Sequence, residues 1–229
     1  MRGGGVVTTY THAGTQTSLG STSGASRFGS FTSVNVGDVI VVHAGNNGGG
    51  GSAVDPITSI SFAGVTTWTQ LAIASDTTNF LSAELWFGVI TSATTATLTV
   101  NFTSAALLSF AIVNEFNSTD GSGWNAGPTN TQVNMVALTH GNYPSVSPSG
   151  ASLFVGAMKI ISNIPSGSST GYVYDSLSNS GQSVYNLAAP SPSAPPFSIS
   201  STGSVCDLVS GLLYTTPTAN SNFFAFMGD

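Results

Sequence analysis

Residues 41–62, "VVHAGNNGGGGSAVDPITSISF", decide between two fold classes. The spacing of Gly45, Gly50 and Ser52 nearly matches a phosphate-binding loop. In such a loop, backbone amides at a helix start cradle phosphates and a lysine reaches them. That would make the chain an α/β protein. Gly51, however, stands where the lysine belongs, and the chain's single lysine is Lys159. Pro56 then leads into "ITSISF", where β-branched and polar residues follow the short period of a strand. The stretch is therefore predicted as strand, long Gly/Asn loop, strand, the glycines giving the loop access to positive φ.

The rest of the chain agrees. "DVIVVHAG", "AELWFGVIT", "ATLTVNFTS" and "LLSFAIVNEF" are short β-branched and aromatic runs separated by Gly, Ser, Thr and Asn. In "ATLTVNF", Leu98, Val100 and Phe102 fall on one face and Thr97, Thr99 and Asn101 on the other, the pattern of a half-buried strand. Charged residues make up only 5% of the 229, against about 25% in ordinary proteins. Glu and Lys are too scarce to build surface helices.

Two halves repeat weakly. "GDVIVVHAG", "TTWTQLAIAS", "LSAELWFGVIT", "ATLTVNFTS" and "LLSFAIVNEF" align with "GASLFVGAM", "TGYVYDSLS", "QSVYNLAAP", "PFSISSTGS" and "CDLVSGLLYTT". Two sets of about five strands predict an antiparallel two-sheet β-sandwich of jelly-roll type, each sheet mixing strands from both halves. The expected organisation is an N-terminal arm (1–30), one sandwich domain (31–217, pseudo-halves 31–117 and 133–217) and a tail (218–229). The linker between halves is placed at 118–132, "STDGSGWNAGPTNTQ".

Composition narrows function. With three Lys and Arg and a net charge of −6, the chain lacks the cationic cluster that nucleic acid or an anionic membrane would require. No apolar run reaches the roughly 20 residues of a membrane helix. The single cysteine, Cys206, excludes an intrachain disulfide and a cysteine-built zinc site, and its apolar neighbours predict a buried, inert thiol. His12, His43 and His140 lack metal-ligand spacing, and no Gly-x-Ser-x-Gly elbow exists. No cofactor or metal is expected.

Paired carboxylates for glycoside hydrolysis would have to come from Glu84, Glu115, Asp38, Asp76 or Asp175. Asp38 and Glu115 sit at strand ends, where turns account for them. Glu84 shares a face with Trp86, read here as a solvated strand face in preference to a sugar subsite. Trp68 and Trp86 read as core. Trp124, in "GSGWNAGP", is expected to be exposed beside Asn125.

"SVNVGDVIVVHAG…ITSISFAGVTTWTQL…AELWFGVITSATTATLTVNFTSA…AIVNEF", through Gly37, Asp38, Trp68, Trp86, Phe87, Glu115 and Phe116, resembles a β-sandwich domain of bacteriophage virion proteins. "VSPSGASLFVGAM" resembles its second half. The resemblance implies a structural, non-enzymatic protein of a phage particle: a capsid decoration or cement protein, or a head–tail accessory. It also implies a homo-oligomer, a trimer in the first instance, that meets other virion proteins. Synthesis in the host cytoplasm without a signal peptide fits that virion setting. The alternative is a glycan-binding adhesin of a tail fibre or spike, with Tyr172 or Tyr174 beside Trp124 in a groove. Subunit or glycan contact is expected at Trp124, Asn125, Asn46, Asn47, Phe223, Phe224 and Phe226.

Overall fold

The computed structural model describes residues 8–48, 57–121, 123–137, 139–161, 164–177, 181–200 and 204–216. Among them are thirteen β-strands and no helix. The first half supplies β1 (Tyr10–Thr32), β2 (Val39–Asn47), β3 (Ile57–Ser61), β4 (Thr69–Asp76), β5 (Leu81–Val89) and β6 (Thr95–Ser118). The second supplies β7 (Trp124–Ala137), β8 (His140–Asn142), β9 (Leu153–Ile160), β10 (Val173–Leu177), β11 (Gly181–Asn186), β12 (Pro196–Ser198) and β13 (Ser204–Thr215). The chain is thus an all-β sandwich of antiparallel sheets.

The opening stretch folds as β2 and β3, with strand rather than helix after Pro56. Residues 49–56 of its loop lie outside the described residues.

Each half builds its own sheet. The first has the order β1-β6-β2-β5-β4, with β3 pairing β6, and the second the order β7-β13-β9-β11-β10. This corrects the expectation that each sheet would mix strands of both halves. The repeat itself corresponds strand for strand: β6 to β13, β2 to β9, β5 to β11 and β4 to β10 occupy matching places. The small β8–β12 pair matches the pairing of the end of β1 with the start of β6, and the Ser166–Ser198 bridge matches β3 on β6.

Alternation along each strand feeds two cores at once. Val39 and Val41 of β2 join Val155 and Ala157 of β9 and Val209 and Leu213 of β13 in the core between the sheets. Ile40, Val42 and Ala44 point the other way, into a second core with Phe31, Ile60, Leu98 and Val100. Those four come from the far ends of β1 and β6 and from β3, which cover the outer face of the first sheet. On the second sheet, Phe154, Met158 and Leu212 are covered in the same way by Tyr143, Phe197 and Ile199. Both sheets are therefore apolar on both faces, which is why β2 and β9 are near-continuous apolar runs. β2 and β9 are buried along almost their whole lengths.

Two further expectations are corrected. Residues 10–30 are not an arm; they lie in β1, paired with β6 from Tyr10–Ser118 to Thr32–Thr95. Their Gly/Ser-rich composition hid a strand whose apolar contacts, Tyr10, Leu19 and Phe31, are widely spaced. The linker at 118–132 contracts to the turn around Gly121, because β7 begins at Trp124.

Candidate functional site

The two sheets meet about an approximate twofold axis marked by equivalent residues in contact. Tyr10 lies opposite Ser118, and Trp124 opposite Thr215. The rings of Tyr10 and Trp124 pack with centroids 5.5 Å apart, and the Ser118 and Thr215 hydroxyls are hydrogen bonded at 2.7 Å. Each aromatic also donates to the other half. The Tyr10 hydroxyl bonds the Ala151 carbonyl at 3.1 Å, and Trp124 Nε1 bonds the Gly37 carbonyl at 3.0 Å. Both acceptors lie two residues before the central strand of their sheet.

This arrangement corrects the exposure expected of Trp124, which is 8% exposed and belongs to the inter-sheet core. Its loop-like neighbours misled, because the turn ends one residue before it. Asn125 is half-buried, its amide nitrogen donating to the Gly123 carbonyl at 2.7 Å. Asn46 is fully buried on the outer-core side of β2, and Asn47 is half-buried at the strand's end, so Asn46 offers no contact surface. Phe223, Phe224 and Phe226 lie outside the described residues. Tyr172 and Tyr174 are half-buried: Tyr172 packs edge-on against Phe154, and the Tyr174 hydroxyl donates to the Pro196 carbonyl at 2.8 Å.

The carboxylates are spread through the architecture. Glu84 is buried, not on a solvated face, because the outer layer covers it. It accepts from the Ile57 amide at 2.7 Å, Gln70 Nε2 at 3.0 Å and Trp86 Nε1 at 2.9 Å. Burial raises its pKa above the ordinary carboxylate value, and the three donors oppose that shift. The equivalent position in the second half is Gln182, which accepts from the Tyr143 hydroxyl at 3.0 Å and donates to Ser176. Glu115 accepts from the Val34 and Asn35 amides, and burial, with Asp38 adding a smaller push, raises its pKa to about 7. Asp38 accepts from Asn35 and Asn117, and Asp76 accepts from the Thr78 and Asn79 amides in the turn after β4.

Of the remaining titratable groups, His43 is fully buried and bonds the Gly156 carbonyl through Nδ1 at 2.9 Å, and burial lowers its pKa to about 4. Lys159 is 1% exposed on the inter-sheet face of β9, where burial lowers its pKa to about 7. Cys206 is buried, and the loss of solvent pushes its thiol up to about 12, in keeping with the inert thiol expected.

At the seam between β1 and β10–β11, His12 stacks on Tyr185 at 5.4 Å and contacts Asn114 Oδ1 through Nε2 at 2.9 Å. Asp175 bonds Gln16 and Ser183 close by. These contacts join the two sheet edges. No group of three or more His, Cys, Asp or Glu suited to a metal occurs among the described residues. Two pockets flank the twofold seam: one of about 520 Å³ beside Tyr10, Ala151 and Leu187, and one of about 260 Å³ beside Trp124, Phe87 and Val89. Uncharged side chains and backbone line both.

The most accessible organised surface was missed in the sequence. It is the outward face of the layer formed by β3, the start of β6 and the end of β1. Ser59, Asn101 and Ser26 stand side by side across these strands, and Ser61, Thr99 and Phe28 form the next row. Ser26 Oγ donates to Asn101 Oδ1 at 2.7 Å, and Asn101 Nδ2 donates to Ser59 Oγ at 3.0 Å. Phe28 is 67% exposed. The signal was present in the alternation of "RFGSFT", which sends Phe31 inward and Phe28 outward.

No family model matches the chain, and no curated protein or solved structure is significantly similar to it.

Proposed function

We propose that the chain is a non-enzymatic structural protein that acts by surface contact on a bacteriophage particle, as a capsid decoration or head–tail accessory protein. One observation carries this reading: Glu84, Glu115, Asp76 and His43 are bonded to backbone groups or neighbouring side chains that fix turns and layers. A catalytic pair would need two such groups converging on one accessible cleft. The particle setting draws on the sequence pattern through Gly37, Asp38, Trp68, Trp86, Glu115 and Phe116, and on the scarcity of charge. Other copies of the chain and other virion proteins are its partners in this reading.

The test is co-sedimentation of purified chain with particles assembled without it. Saturable binding to heads or tails is expected; a chain that stays in the supernatant at every concentration contradicts the proposal.

A further inference from the structure

The outward face of β3, β6 and β1 presents hydroxyls, one amide and one ring, with no charged side chain directed outward. Its one cation, Arg27, is 4% exposed and turns inward, where Nε donates to the Ser109 carbonyl at 3.0 Å. The face rests on its own core of Phe31, Ile60, Leu98 and Val100 and is held by in-register pairing on both sides of β6. Its polar groups are therefore positioned before any ligand arrives, which lowers the ordering cost of binding.

The chemistry selects the ligand class. Without charge, the face cannot pair a phosphate, a carboxylate or a basic peptide. A protein partner would call for a contiguous apolar centre with several large side chains, whereas Phe28 stands alone among Ser26, Ser30, Thr97, Thr99 and Asn101. A neutral sugar fits both features: the C–H face of a pyranose packs on an aromatic ring, and its hydroxyls both donate and accept. We propose that this face binds a neutral glycan, with Phe28 as the stacking ring and the Ser26–Asn101–Ser59 row as the hydrogen-bonding partner. The inference is independent of the particle setting: a chain that binds glycan but decorates no particle would keep one and lose the other.

Native gel electrophoresis of the full chain through dextran, galactomannan and hydroxyethyl cellulose tests it, with anionic alginate as the control. Retardation by at least one neutral polymer is expected, without retardation by alginate. Phe28→Ala should weaken it roughly tenfold or more, the loss typical of a central aromatic contact, and Phe28→Tyr should retain it. Because Phe28 is exposed, Phe28→Ala should leave thermal unfolding unchanged. Three outcomes overturn the proposal: no retardation by any neutral polymer, equal retardation of wild type and Phe28→Ala, or a wild-type oligomer that Phe28→Ala dissociates. The last would assign the face to a second copy of the chain.

Discussion

Tyr10 and Trp124 do the same task in opposite halves, each opening the first strand of its sheet and hydrogen bonding a carbonyl of the other sheet. Their rings touch, so the two sheets are locked at a point that both halves supply. Tyr10→Phe removes the bond to Ala151 and the acceptor for the Thr215 amide. It should cost about 1–3 kcal/mol in urea unfolding. Trp124→Ala should cost about 3–5 kcal/mol, as for other buried aromatics. The double variant should depart from additivity by about 0.5–3 kcal/mol, whereas additive losses would mean that the residues act separately.

Glu115 should make stability fall as pH rises. Its pKa is raised in the folded chain to about 7 from 4.5. The native state therefore holds more protons than the unfolded state between those values. The contribution is full below 4.5 and is lost as pH climbs through 7. Glu115→Gln imitates the protonated acid and should flatten that part of the profile. Chemical denaturation from pH 4 to 8 checks this, and an unchanged slope in the variant would contradict it.

Lys159 acts in a higher window and with the opposite sign. Its folded pKa is lowered to about 7 from 10.5. The unfolded state thus binds more protons between those values, and stability should rise with pH across them. Lys159→Met keeps most of the buried stem and should abolish that rise. Unfolding midpoints at pH 7, 8.5 and 10 measure it.

Gly45 allows the sheets to approach. A Cβ there would lie 2.7 Å from the Phe110 ring, 2.7 Å from the Ser82 carbonyl oxygen and 2.9 Å from Lys159 Cβ. Gly181 would meet only the Phe110 ring among its nearest atoms, at 2.4 Å. A ring can swing aside more readily than backbone. Gly45→Ala should therefore cost about 1–3 kcal/mol and Gly181→Ala less, judged by thermal unfolding.

The strand class and the duplicated order were legible because alternation and turn residues are local signals. "GDVIVVHAG" and "GASLFVGAM" became the central strands of the two sheets. What alternation cannot reveal is what covers the second face. Glu84 and Trp86 look like a solvated face until β3 and the returning ends of β1 and β6 are laid over them. The N-terminal Gly/Ser segment looked like an arm because most of its partners lie about 70 to 110 residues away in β6. Trp124 looked exposed because its environment is built by Tyr10 and Gly37, distant in sequence.

The central claim is that the chain works by contact on a particle, and locating it there tests that most directly. Electron micrographs of purified phage particles carrying a gold-labelled copy of the chain should show label at regular positions on head or tail. Particles that are uniformly unlabelled, with the chain recovered only in the soluble fraction, would contradict the account.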